Sequence, residues 1–323
     1  MINEISIFGT FKENDNVYVY NVSDIITKII EDILENRKIN IMTLSKEISI
    51  KNRSIYYWKS GKRPINLKNL IYLIKQTNKN EYFLKTINKK KLIIGFGSQK
   101  NLCTIPNKIS GELAYLVGYL MGDGCLTKKW TIRICDEIDT QINYIEKILK
   151  SNFDLKGRKY SSEREVVYLI YSKCLWLFLH NIFDFPKGEK KGKLRIPNAI
   201  KNGNKIIKIE FIRGFLDADG GLPRIEEYKK IPNWILNKSQ IEISQSTQIF
   251  LEDLKNLLLE FNLKSNGPYY HNANKCYRLI LSKNSLSSCN NIKIFRNPYK
   301  SNRLTSICKL NASMAQTGRA SAW

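Results

Sequence analysis

The sequence is poor in the residues that build most metal and redox sites. It has 2 histidines, His180 and His271, and its 7 cysteines are scattered without one Cys-x-x-Cys pair. That pattern excludes a zinc finger and points to a reducing compartment. No apolar run approaches the ~20 residues a membrane span needs, and no stretch reads as a signal peptide. We therefore expect a cytoplasmic protein with no membrane partner. Acid is scarce too: 29 Asp and Glu stand against 53 Lys and Arg, a formal charge of +24. Such self-repulsion serves no purpose in an enzyme of small metabolites, whereas a polyphosphate binder uses it. At 323 residues the chain has room for two or three domains.

What is present is a repeat. Leu116-Val-Gly-Tyr-Leu-Met-Gly-Asp-Gly124 returns ninety-six positions later as Ile212-Arg-Gly-Phe-Leu-Asp-Ala-Asp-Gly220. Each copy reads as an apolar helix with small residues four apart, Gly118 and Gly122 in one, Gly214 and Ala218 in the other. Positions i and i+4 share a helix face, so two such helices can pack unusually close. Each run ends in Asp-Gly, and the glycine is expected in the left-handed position that stops a helix. Asp123 and Asp219 then fall in the last turns, where a carboxylate meets the negative end of the helix dipole. If the helices pair in parallel the two acids converge, and a divalent cation with oxygen ligands is the natural occupant.

Both runs resemble the LAGLIDADG motif, and the doubled form resembles a single-chain LAGLIDADG homing endonuclease over roughly residues 104–300. The second copy keeps the full Asp217-Ala218-Asp219-Gly220, while the first departs at Met121 and Gly122. The acid missing at Met121 is not the family's metal ligand. The resemblance implies a site-specific double-strand DNA endonuclease using Mg²⁺, with Mn²⁺ able to substitute, held by Asp123 and Asp219 with Gly122 and Ala218. It also implies Gln245 and its first-half equivalent Asp136 beside the acids, and Lys173 and Lys283 at matching strand-to-helix corners. Two other readings stay open, a DNA-binding regulator with a silent nuclease fold and an RNA maturase assisting intron splicing. An intein is not expected, the His-Asn pairs at 180–181 and 271–272 being internal.

The repeat extends beyond the nonapeptides. Thr104-Ile-Pro-Asn-Lys-Ile109 and Arg195-Ile-Pro-Asn-Ala-Ile200 precede them, and Thr131–Asp136 and Gln240–Gln245 follow as strands. Helices are expected over 137–150 and 247–260, then strands closing at Lys173 and Lys283, each running into another helix. The expected class is α+β, a duplicated αββαββα saddle with two antiparallel sheets around a central helix pair. It would be a monomer with internal pseudo-two-fold symmetry, gripping double-stranded DNA on its open sheet faces. The candidate DNA contacts there are Lys128, Trp130, Arg133, Arg158, Arg164, Arg224, Lys229, Lys238 and Glu242.

Ahead of the repeat, Glu4–Phe8 and Val17–Tyr20 alternate and read as short strands. Ser23-Asp24 opens a helix, and Leu44, Ile48, Ile55 and Trp58 fall at spacings that bury one face of two short helices joined by a tight turn. With Trp58-Lys-Ser-Gly61-Lys-Arg-Pro64, this resembles the Cro/Xre-like helix-turn-helix. The resemblance puts Lys51, Asn52, Arg53, Ser54, Tyr56 and Tyr57 in the major groove. The expected boundaries are 1–80 for this domain, 81–103 for a basic linker, 104–193 and 194–310 for the halves, and 311–323 for a tail outside the fold.

Overall fold

A computed structural model describes residues 4–12, 15–97, 102–162, 165–223 and 240–320. The N-terminal unit comprises α1 (Ile7–Thr10), β1 (Val17–Val19), α2 (Ser23–Arg37), α3 (Ile41–Glu47), α4 (Asn52–Lys59), β2 (Ile65–Asn66), α5 (Leu67–Lys75), α6 (Asn80–Lys89), β3 (Leu92–Phe96) and β4 (Cys103–Ile105). Its antiparallel sheet has the order β2-β1-β3-β4. The two short helices expected around Leu44 and Ile48 and around Ile55 and Trp58 form as α3 and α4. Leu44, Ile55 and Trp58 are buried as their spacing requires, and Ile48 is half-buried.

Two expectations fail here. Glu4–Phe8 is not a strand: Ser6 caps α1 by accepting from the Phe8 amide, and only Glu4 makes a bridge, to Lys108. The supposed linker is folded. Phe83 and Ile87, four apart, turn one face of α6 inward, and Leu92, Ile94 and Phe96 alternate into the core from β3. Lysines between these positions mask the pattern.

The first half follows as α7 (Gly111–Asp123), β5 (Gly124–Leu126), β6 (Thr131–Asp136), α8 (Asp139–Phe153), β7 (Arg158–Ser161), β8 (Val166–Tyr171) and α9 (Lys173–Phe183). The second runs α10 (Asn198–Lys201), α11 (Lys205–Asp219), β9 (Gly220–Gly221), β10 (Glu242–Gln245), α12 (Gln248–Leu259), β11 (Ser265–His271), β12 (Cys276–Leu281) and α13 (Leu286–Asn291). The sheets have the matching orders β5-β6-β8-β7 and β9-β10-β12-β11, with Gly124 opposite Ile134 and Gly220 opposite Ile243. Duplication thus holds at the level of strand register. It breaks just before the motifs, where the Thr104 segment joins the N-terminal sheet while its counterpart forms α10. The tail is also corrected: α14 (Pro298–Ala320) runs through the expected boundary at 310, anchored by buried Leu304 and Ile307.

Helices α7 and α11 pack on each other more extensively than any other pair of described elements. They run parallel, since Gly111 lies by Ile206 and Glu210, Gly118 by Phe211 and Phe215, and Gly122 by Ala218 and Asp219. Ser110 and Asn204 cap their N-termini by accepting from the amides of Leu113 and Ile207. At Gly118 and Gly214 the partner backbone passes so close that a methyl group would overlap the carbonyl oxygens of Phe211 and Tyr115. One apolar cluster runs from Ile5 to Ile307 through the N-terminal unit and both halves. Among the described residues, no helix is long and apolar enough to cross a membrane.

Candidate active site

Parallel packing brings the C-termini of α7 and α11, with Asp123 and Asp219, to one point between the two sheets. The glycines that follow serve a different purpose from the one expected. Gly124 (φ −93°) and Gly220 (φ −73°) are extended, so no left-handed cap forms. The helices turn directly into β5 and β9, and a Cβ at Gly124 would lie 2.6 Å from the Leu120 carbonyl oxygen. Glycine is required there by crowding and not by backbone sign.

Burial, with repulsion from Asp219 and Asp136, pushes the Asp123 carboxyl up to about 7. Burial also raises Asp219, against the pull of Lys190, Gln245 and Lys300. Gln245 donates to Asp219 Oδ2 at 2.5 Å, so β10 orients this carboxylate. Its counterpart Asp136 instead accepts from the Tyr119 hydroxyl and, at 2.7 Å, from the Ile138 amide. The halves therefore differ beside the acids: an amide steadies one, and a second carboxylate crowds the other.

The charge is balanced by two lysines that sequence reasoning missed. Lys190 Nζ donates to the carbonyls of Met121 (3.0 Å) and Gly122, at the end of α7. Lys300 Nζ donates to the carbonyls of Leu216 (3.0 Å), Asp217 (2.6 Å) and Ala218 (2.9 Å), at the end of α11. Each ammonium satisfies orphan carbonyls and offsets the negative end of a helix dipole. Burial lowers the pKa of both lysines, and Asp123 and Asp219 oppose that shift. Nothing in the sequence marked them out, because they lie 110 positions apart against 96 for the motifs, among 53 basic residues. Replacing Lys300 by Met should cost about 1–3 kcal/mol by leaving three carbonyls without a donor and the acid pair with one of its two cations. Thermal unfolding of the Lys300→Met variant would show it, and Mg²⁺ should restore more stability to the variant than it adds to wild type.

The structure does not bring Lys173 and Lys283 to the acids. Thr131 pairs with Tyr171 at one end of β6, whereas Asp136 stands at the other, roughly 17 Å away at ~3.4 Å per residue. Lys173 begins α9 beyond that far end, its ammonium 4.7 Å from the Phe96 ring and 5.1 Å from the Trp130 ring. Lys283 begins a 3₁₀ turn past β12, near the Glu242 end of β10 and not the Gln245 end.

Asp217, which occupies the motif position of Met121, is fully buried. It accepts from the Tyr115 hydroxyl (2.6 Å) and from the amides of Arg296 and Asn297 (3.1 and 3.0 Å), so it ties the first half to the loop before α14. Burial raises it to about 6 despite these bonds. That accounts for an acid in one copy only.

The donors at the helix ends are all oxygen: two carboxylates and the carbonyls of Gly122 and Ala218. Among the described residues no three His, Cys, Asp or Glu side chains gather into a metal cage. Two neighbouring carboxylates, both raised by burial, suit Mg²⁺, which binds through few protein ligands and keeps much of its water. Both carbonyls already accept from lysine, so a cation there would share them.

Arg133 and Arg158 both pair with Leu169 across β8, placing them on the open face opposite buried Ile132 and Ile134. Arg133 lies 3.9 Å from Glu165. Lys128 is exposed in the β5–β6 turn, beside Trp130, which packs edge-on against Trp176. Glu242 pairs with Arg278 at 3.1 Å. Arg164, Arg224, Lys229 and Lys238 lie outside the described residues. In the N-terminal unit Lys51, Arg53 and Tyr56 are exposed, Ser54 and Tyr57 half-buried, and Asn52 accepts from the Ser45 hydroxyl.

Two acid-ended helices, each leading into an equivalent sheet, decide the comparison with known proteins. Residues 207–292 match the LAGLIDADG-like domain. The match runs from α11 to the end of α13, and the first half repeats that domain's strand order. The probable translation initiation factor IF-2 of Methanocaldococcus jannaschii is 27% identical over 219 residues, which cover 65% of this chain and 17% of that protein. Homing endonuclease I-ApeI of Aeropyrum pernix is 27% identical over 202 residues, 60% of this chain and 86% of that protein. Among solved structures, variants of the homing endonuclease I-DmoI superpose with a TM-score of 0.44 at 16% identity, covering 61% of this chain and 97% of theirs.

Proposed function

We propose that the chain is a site-specific, homing-type DNA endonuclease that hydrolyses one phosphodiester in each strand of a duplex with Mg²⁺ or Mn²⁺. The observation that carries this reading is the convergence of Asp123 and Asp219 at the ends of paired helices, between two sheets of the same order. The similarity to homing endonuclease I-ApeI over 86% of its length supports it. A bound divalent cation supplies Lewis-acid polarisation of the scissile phosphate. The protein's own groups do the rest. Asp123 and Asp219 hold the cation once deprotonated, and Gln245 fixes the orientation of Asp219. Lys190 and Lys300 hold their protons close to the phosphate, where they offset charge developing on the departing oxygen. One chain carrying both halves acts as a monomer on an asymmetric target. Helices α3 and α4 serve as a helix-turn-helix that adds a second grip on DNA.

The test is cleavage of a genomic or randomised DNA library with Mg²⁺, sequencing the ends, beside an Asp123→Asn/Asp219→Asn variant. Discrete sites cut by wild type alone are expected. Tight binding without cutting across divalent metals would overturn the enzyme reading and leave a DNA-binding regulator; preference for structured RNA would indicate a maturase.

A further inference from the structure

We propose that the N-terminal unit is a fixed extension of the first half, so that the α4 face and the first sheet grip one continuous stretch of duplex at a set spacing. The inference rests on the DNA-binding reading above and deepens it.

The unit is not tethered by a free linker. Strand β4 belongs to its sheet yet leads within a few residues into α7. The intervening Asn107 donates to the Lys89 carbonyl (2.7 Å) and accepts from the Ile5 amide through its own carbonyl (2.9 Å). Further contacts cross to the first half: Asn181 Nδ2 to the Thr10 carbonyl (2.7 Å), Lys91 Nζ to the Ser151 carbonyl (2.7 Å), and the Lys173 ammonium to the Asp15 carbonyl (3.5 Å) and near the Phe96 and Trp130 rings. Cys103 on β4 and Cys174 on α9 are buried in the same seam. Within the span 81–103 expected as a linker, α6, β3 and the start of β4 form this packed joint.

The joint also sits at an informative place. Trp130 marks the tip of the β5–β6 hairpin, the end of the first sheet remote from Asp136 and the acids. A groove of about 680 Å³ is lined by Leu102 next to β4 and, from the first half, by Asp154, Lys156, Arg158 and Tyr171. A duplex laid on this sheet and running outward from the acids passes Arg133 and Arg158, reaches the hairpin tip, and meets the unit next. The α4 side of the unit is cationic. Lys51, Arg53, Lys62 and Arg63 are exposed, and among the described residues none of them has an acidic partner. Arg53 and Arg63 both stack on the Tyr57 ring, at 5.0 and 4.9 Å from its centre, so the guanidiniums are positioned before any ligand arrives. Unpaired, pre-positioned arginines on a chain of charge +24 suit phosphate and groove contacts of B-DNA.

The experiment is selection from randomised duplexes several helical turns long, without divalent cation, using full-length wild type and an Arg53→Ala/Arg63→Ala variant of unchanged circular dichroism. Wild type should select an inner block plus one outer block, on a single side, at invariant spacing more than about 5 bp from the centre, the length of β6 in base pairs. The variant should select the inner block alone, bind the wild-type site roughly tenfold more weakly, and show a salt slope smaller by about 2. Inserting about 5 bp between the blocks, half a helical turn, should weaken wild-type binding to the level of the variant. An inner block with no outer one, or an outer block at variable spacing that tolerates the insertion, would overturn the fixed extension while leaving DNA binding intact. Failure to select any block would overturn the DNA reading itself.

Discussion

Gly118→Ala combined with Gly214→Ala should cost the protein a large share of its cooperative stability. Each added methyl meets the partner helix's backbone and not a side chain that can swing aside: the nearest nitrogens, Phe215 N and Tyr119 N, lie 2.9 Å from the new carbons, and the carbonyl oxygens are closer still. Only separation of the helices relieves both overlaps, and that opens the most extensive packing between any two described elements. Overpacking of this kind costs typically 1–3 kcal/mol per site and occasionally more. Against a total of about 5–15 kcal/mol, two such sites should lower the melting temperature by roughly 10 °C or more. Gly9→Ala is the control, since nothing lies within 4 Å of its added carbon. A double variant that melts with wild type would show that the helices do not approach as described.

The second large effect concerns charge. Asp123→Asn should stabilise the metal-free protein at pH 8 while removing cleavage by at least about a hundredfold. In the folded chain the carboxyl titrates near 7, against an ordinary value of 3.8, because burial and the neighbouring acids disfavour its charge. The folded state therefore keeps a proton that the unfolded state has released. Stability from this group is fully present below about 3.8 and is lost as pH rises through about 7. The shift amounts to at most about 4 kcal/mol at ~1.36 kcal/mol per unit. The melting temperatures of wild type and variant should thus lie close at pH 4 and diverge by pH 8. Mg²⁺ should narrow the gap by stabilising wild type, which alone keeps both carboxylates. Cleavage by wild type should rise with pH through the same range. A gap that does not depend on pH would mean that Asp123 is ordinarily solvated.

Much of this architecture was legible because repetition amplifies weak signals. Neither nonapeptide alone distinguishes a catalytic helix from a core helix, but two copies with matching strands downstream fix the register of both sheets. The N-terminal helices were legible from the spacing of Leu44, Ile55 and Trp58. Reasoning failed where long-range packing decides. The glycines after the acids looked like left-handed caps, yet crowding against Leu120 and Leu216 is what excludes a side chain. Lys173 and Lys283 matched each other in the repeat, but a matching position in a sheet says nothing of which end faces the acids. Lys190 and Lys300 act across loops of different length, so their equivalence exists in space and not in spacing. Phe83 and Ile87 were hidden by the lysines around them.

The packed seam along β4 also bears on how such a chain can be recombined. The second half touches the rest mainly through one helix face, the buried Asp217 carboxylate that accepts from Tyr115, and Arg296 against the Tyr115 and Tyr144 rings, so it is the more separable of the two. The first half is not separable in the same way. Its first helix is fed by a strand that completes another unit's sheet, and α9 packs on that unit from the other side. Any exchange of halves between such chains would move residues 4–183 as a single block. Diversification would then fall mostly on the partner that follows it.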